Sequence, residues 1–297
     1  MKQKITIATR GSRLALRQSE IVKELLLQRF PELIVGFLEV TTTGDMDQTT
    51  PLSAFGNTGV FVKGLEQRLL SGEADLAVHS LKDVPADSNP ELMLAAFPQR
   101  EDPRDVLVTL NGISLEDLKP GSIIGTSSPG RQEQLKILRP DLVFKSIRGN
   151  VDTRVNKVLN GEYDATILAA AGLKRLGYTI PSENYFSLDE IVPSPGQGAL
   201  VIQANKTNTG VVEMIKQIND ETIEKQVLAE RRFMQIIGGG CKYPVGANAE
   251  IFPDKVIFRA VAFKPEFGKL KKIKVETSLE NLFEVAENTA RKMLLVK

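Results

Sequence analysis

Over its first two-thirds the chain alternates short apolar runs with longer stretches whose apolar residues recur at helical spacing. That alternation calls for an α/β architecture, a mostly parallel sheet covered by helices. Residues 4–9 read as a strand. Ser12 can cap a helix running to about residue 29, with Ala15, Gln18, Ile21, Val22, Leu25 and Leu26 near helical spacing. A strand over 33–40, a polar turn over 41–45, a helix over 61–70 and strands over 74–79 and 92–97 complete a first block. A charged, proline-bearing linker follows at 99–105. The second block has strands at 105–109, 122–126, 142–147 and 164–169, with helices at 131–138 and 151–159. It closes at Pro193-Ser194-Pro195-Gly196-Gln197-Gly198, after which a strand over 199–204 could return to the first block.

From Glu221 the pattern changes. A helix runs to a glycine triplet, Gly238-Gly239-Gly240, and strand-like segments follow near 247–251, 256–263 and 271–276. A last helix, about 279–295, is expected to bury Leu282, Phe283, Ala286, Ala290, Met293 and Leu294. Strands covered by a helix suggest a small α+β domain. The expected partition is 1–98 with 199–218, then 99–198, then 219–297.

Bulk properties narrow the function. A net charge of +1 provides no global field for nucleic acid or an anionic membrane. No apolar run approaches the roughly 18–20 residues of a membrane span. The opening Met1-Lys2-Gln3-Lys4-Ile5-Thr6-Ile7 lacks the apolar core of a signal peptide, so the cytoplasm is expected. The single histidine, His79, excludes His-rich metal sites and any mechanism needing two imidazoles; no metal is expected. The single cysteine, Cys241, cannot form an internal disulfide. Its place directly after three glycines suggests a covalent attachment point or a nucleophile. The alternative is a buried, inert thiol.

Two α/β lobes joined by two crossings would form a cleft, and open α/β sheets bind ligands beyond the carboxyl ends of their strands. Thr9-Arg10-Gly11-Ser12 follows the first strand; Arg10 can chelate a carboxylate, and Ser12 opens a helix. His79-Ser80-Leu81-Lys82-Asp83 follows another, and Asp83 is the candidate charged catalytic group, or else a turn aspartate. His79 reads better as a hydrogen-bonded core histidine than as a base. In the second block the strand exits are Thr126-Ser127-Ser128-Pro129-Gly130-Arg131, then Ser146-Ile147-Arg148-Gly149-Asn150 leading on to Arg154, then Ala170-Ala171-Gly172-Leu173-Lys174-Arg175. Arg148 and Arg154, about two helical turns apart, could share a helix face. Any one of these arginines could be a solvated surface charge. Guanidiniums and hydroxyls recurring at successive exits suit a ligand with many carboxylates.

Taken together, these segments resemble the porphobilinogen deaminase (hydroxymethylbilane synthase) family. The matching stretches are Ile7-Ala8-Thr9-Arg10-Gly11-Ser12, Ala77-Val78-His79-Ser80-Leu81-Lys82-Asp83-Val84-Pro85, Arg100-Glu101-Asp102-Pro103-Arg104-Asp105, Gly125-Thr126-Ser127-Ser128, Ile147-Arg148-Gly149-Asn150-Val151, Ile167-Leu168-Ala169-Ala170-Ala171-Gly172-Leu173, Pro195-Gly196-Gln197-Gly198-Ala199 and Gly239-Gly240-Cys241, in the family's order. The resemblance implies two periplasmic-binding-protein type II-like lobes plus a small C-terminal α+β domain. It implies a dipyrromethane cofactor held through Cys241, and a monomer without nucleic-acid or membrane partners. The implied reaction joins four porphobilinogen units head to tail into hydroxymethylbilane with release of ammonia. By resemblance Asp83 is catalytic. Lys82, Asp83, Ser128, Arg131 and Ser146 would lie against the cofactor. Arg10, Ser12, Gln18, Ser80, Thr126, Arg148, Arg154, Arg175 and Gln197 would bind substrate or growing chain, with Gln197 at the hinge. Two positions depart from the family pattern: Gly130 stands for the first arginine of a pair, and Thr58 for a lysine. They keep open a degenerate homologue that binds without full turnover. A two-lobed carboxylate-binding module without chemistry is the other alternative.

Overall fold

A computed structural model describes residues 4–46, 59, 61–86, 89–238 and 243–295. Its strands run β1 (Lys4–Thr9), β2 (Ile34–Glu39), β3 (Leu76–Ser80), β4 (Leu92–Ala96), β5 (Asp105–Thr109), β6 (Ile123–Gly125), β7 (Val143–Lys145), β8 (Ala165–Ala169), β9 (Leu200–Asn205), β10 (Val245–Ile251), β11 (Val256–Ala262) and β12 (Lys271–Thr277). Its helices are α1 (Arg13–Arg29), α2 (Thr43–Met46), α3 (Lys63–Leu70), α4 (Pro129–Leu138), α5 (Val151–Leu159), α6 (Ala170–Arg175), α7 (Thr209–Lys216), α8 (Glu221–Ile237) and α9 (Leu282–Leu295). They form two compact units. Among the described residues, the first comprises those within 4–46, 59–101 and 199–224, and the second those within 102–198 and 225–295.

The first unit holds a sheet ordered β2-β1-β3-β9-β4. β1 is parallel to β2 and β3, while β9 runs antiparallel between β3 and β4. The strand after the second crossing therefore does return to the first sheet. Ile5, Ile7, Leu76, Leu200 and Ile202 bury their side chains with Val22 and Leu26 of α1. α7 adds Val211, Val212, Met214 and Ile215 to the same core. The sequence reading placed no helix there, because an adjacent pair of β-branched valines does not announce one. Within the polar turn expected over 41–45 the structure has the start of the short α2 (Thr43–Met46).

The second unit carries two sheets. In the first, ordered β5-β8-β6-β7, β6 is parallel to β7 and β8, and β5 is antiparallel to β8. The other is the antiparallel sheet β10-β11-β12. Ala229 and Phe233 of α8 and Leu282, Ala286, Ala290 and Met293 of α9 pack on Ala247, Ala249, Phe258 and Ala260. Phe233 meets Phe258 edge to face at 6.0 Å. Phe283 and Leu294, expected inside, are 45% and 40% exposed. At about 100° per residue, each is turned off the stripe that faces the sheet. The chain is thus mixed α/β, with two sheets that each combine parallel and antiparallel pairs and a small antiparallel C-terminal sheet covered by α8 and α9.

The C-terminal sheet is seamed to segment 189–197 within this unit. β10 is an edge strand, and its outward amides are paired: Ala247 N–H with the Pro193 carbonyl, Ala249 N–H with the buried Glu230 carboxylate. Glu230 also accepts the Gly196 N–H at 2.7 Å. A Cβ on Gly246 would stand 2.5 Å from the Val192 oxygen, so only glycine permits this approach. Buried Gln134 clasps Val192 from the other side, donating to its carbonyl and accepting its N–H.

At the rim Asp189 accepts from Arg259 and Lys274, each at 2.8 Å. The Arg259 hydrogen bond, then that of Lys274, lowers the Asp189 carboxyl from 3.8 to about 2. A depressed folded-state value stabilises above the unfolded value and is lost as pH falls through the folded one. Asp189→Asn is expected to cost about 0.5–1 kcal/mol at neutral pH, since the carboxylate is half exposed. In urea melts at stepped pH, the difference from the parent should shrink from about pH 4 downward and vanish near pH 2.

Candidate active site

In the first unit, parallel β1 and β3 bring their carboxyl ends to one sheet edge. Arg10 follows β1, its guanidinium 4.2 Å over the Phe61 ring. Ser12 caps α1, its Oγ accepting the Ala15 N–H. After β3 the chain makes a single 3-10 turn, Leu81–Asp83. Leu81 is buried and its N–H bonds the Ala199 carbonyl; Val84 N–H returns to the Leu81 carbonyl. That pinned turn leaves Lys82 half-buried and Asp83 exposed. Gln18 is buried and donates to the Ser80 hydroxyl at 2.8 Å. Gln18 therefore orients Ser80, a role the sequence reading did not give it. His79 is a core residue, as expected: it is buried, 3.1 Å from the Gln203 amide oxygen, and burial pushes its pKa down to about 4.

In the second unit, β6, β7 and β8 are parallel, so their exits share an edge. Ser128 caps α4, which starts at Pro129, two residues earlier than expected. Ser127, not singled out from the sequence, ties two exits together. Its Oγ donates to the Ile147 carbonyl, accepts the Ile147 N–H and lies 2.8 Å from Ser146 Oγ. The Tyr163 hydroxyl adds a bond to the Ser146 carbonyl. Thr126 is buried, and its Oγ1 accepts the Ser128 N–H.

Arg148 and Arg154 do not share a helix face. Asn150 caps α5 through the Thr153 N–H, which leaves Arg148 in the loop before it. Gly149 turns there at φ +109°, where a Cβ would collide with Thr153. The loop still brings the segments together, because Arg154 Nε donates to the Gly149 carbonyl. Arg175 ends α6 and donates to the Gly198 carbonyl at 2.7 Å. Gln197, expected to touch substrate, is buried, with its amide spent on Pro103, Asp105 and Arg131. Arg131 is itself held by Asp105, a partner the sequence reading missed. An acidic residue at the mouth of a buried apolar strand was the available signal.

Cys241 and Thr58 lie outside the described residues. Gly130 lies inside them, and a Cβ there would meet only ordinary contacts at 3.9–4.0 Å, so the backbone does not require glycine.

Residues 5–213 match the family model "Porphobilinogen deaminase, dipyromethane cofactor binding domain", and residues 224–295 match "Porphobilinogen deaminase, C-terminal domain". The chain belongs to the porphobilinogen deaminase family. A family relative from Thiobacillus denitrificans is 41% identical over 98% of this chain and 95% of its own length. One from Lachnospira eligens is 45% identical over 82% of this chain and 83% of its own. Among solved structures, the methionine binding protein MetQ is 11% identical, with a TM-score of 0.47 over 73% of this chain and 89% of that one.

The described donors fit the family's cofactor. A dipyrromethane presents carboxylates and pyrrole N–H groups. Within the second unit, hydroxyls and guanidiniums at the exits of β6, β7 and β8 suit the former; within the first unit taken by itself, the exposed Asp83 carboxylate suits the latter. Among the described residues no cluster of His, Cys, Asp and Glu could hold a metal, and no helix is long and apolar enough to cross a membrane.

Proposed function

We propose that this chain joins four porphobilinogen units head to tail, releasing ammonia at each step, and that water then cleaves the linear product from the primer as hydroxymethylbilane. The observation that carries this reading is the exposed carboxylate of Asp83 on a turn held through the buried Leu81 and Val84, in a chain that matches both domains of the family. Loss of ammonia from porphobilinogen leaves positive charge on the pyrrole ring. Asp83 accepts the pyrrole N–H and stabilises that charge where it develops, without having to reorganise. Lys82 beside it balances acid groups near the same turn.

Every unit added brings an acetate and a propionate. Arg10 and Ser12 at the exit of β1, and Arg148, Arg154 and Arg175 in the second unit, neutralise them by charge-assisted hydrogen bonds. Ser80, oriented by Gln18, and Thr126 and Ser128 supply hydroxyl contacts. Ser146 and Arg131 hold the cofactor's acid groups. A dipyrromethane on the Cys241 sulfur supplies the pyrrole carbon that begins the chain. We place the protein in the cytoplasm, as a monomer acting on a small-molecule substrate, with neither nucleic acid nor membrane as partner.

One observation favours a weaker second reading, binding without full turnover. Gly130 gives up a cation that the backbone has room for, while its neighbour Arg131 is committed to Asp105. Protein purified from a haem-producing host separates the two. Intact mass is expected to exceed the sequence mass by two pyrrole units, and four porphobilinogens should be consumed per product. Added mass without consumption would leave the binding reading, and neither would reduce the chain to a carboxylate-binding module.

A further inference from the structure

Asp105 opens β5, and because β5 runs antiparallel to β8 it stands opposite Ala169. Its carboxylate therefore sits at the edge where β6, β7 and β8 end. The side chain is only 1% exposed, and that of its partner Arg131 12%. Oδ2 accepts Arg131 Nε–H at 3.0 Å; Oδ1 accepts from Arg131 Nη2 at 2.7 Å and from Gln197 Nε2 at 2.7 Å. Gln197 Oε1 accepts a second Arg131 Nη2 proton at 3.3 Å, and Nη1 donates to the Ile167 carbonyl at 3.1 Å. A guanidinium has five N–H donors, so among the described residues four have partners and one on Nη1 remains.

A buried ion pair is poor evidence of stabilisation, because apolar residues of the same volume usually do as well. This one makes sense as a fixture. The backbone N–H of Arg131 is capped by Ser128 Oγ, so the residue is held at main chain and side chain alike, with one donor unspent beside the hydroxyl-rich exits. We propose that Asp105, with Gln197, is the positioning residue that fixes Arg131 so that its last N–H meets a ligand carboxylate. This rests on the cofactor reading above.

The test is intact mass of protein purified from a haem-producing host, with circular dichroism as a check on folding. Asp105→Asn and Arg131→Lys are each expected to lower the ratio of two-pyrrole-loaded to unloaded protein by about tenfold or more, the effect of one charge-assisted hydrogen bond. The double variant should load no worse than Arg131→Lys alone, because Asp105 acts through Arg131. Should Asp105→Asn not fold, Gln197→Ala, which leaves the ion pair in place, must lower loading in the same direction by a smaller factor. Loading equal to the parent in the folded variants, with only a lowered melting temperature, would overturn the proposal and leave a purely structural pair. An unloaded parent protein would instead overturn the functional reading, and this inference with it.

Discussion

Asp83→Asn is expected to keep its covalent modification and lose product formation by about a hundredfold to a thousandfold, as when a preorganised charge stabiliser is removed. The residue sits on a turn fastened by buried Leu81, and its own side chain is exposed. Asparagine has the same shape, so the turn should persist and stability should change by no more than about 0.5 kcal/mol. What is lost is the negative charge. The amide oxygen can still accept a pyrrole N–H, but it cannot neutralise the cation left when ammonia departs. Product assayed by absorbance after oxidation to porphyrin, beside intact mass, separates this outcome from misfolding. Turnover near that of the parent would remove Asp83 from its role.

Cys241→Ser should carry no added mass and form no product. Cys241 is the only thiol in the chain, so no second sulfur can take its place. A serine hydroxyl is far less nucleophilic than a cysteine thiolate. The substitution exchanges one atom, and the sheet β10-β11-β12 with α8 and α9 has its own core, so the protein should still fold. Mass equal to two pyrrole units on this variant would put the attachment at another residue.

Much of this was legible because the strands are short, apolar and separated by helices with clear caps. Ser12, Ser128 and Asn150 all cap helices through their side chains, and the first and last of those helices start where periodicity put them. The exits of β1, β3, β6, β7 and β8 could be named before any coordinates, since ligand groups gather beyond parallel strand ends. What could not be read was pairing across distance. Gln18 with Ser80, Asp105 with Arg131 and Ser127 with Ile147 join residues 62, 26 and 20 apart in the chain. Nothing local marks such partners. Arg148 was misplaced for a different reason: a left-handed glycine and an asparagine cap start the helix just after it, and helical spacing cannot be carried across that break.

The stitching of Val192 and Pro193 to β10 has one more result. In sequence Cys241 lies between the end of α8 at Ile237 and the start of β10 at Val245, next to Gly246 and its closed approach to Val192. Its two anchorages belong to the same compact body as Arg131, Arg148, Arg154 and Arg175, whereas Asp83 belongs to the other. A group attached to that sulfur is thus tethered on both sides to the unit that holds Arg131, Arg148, Arg154 and Arg175.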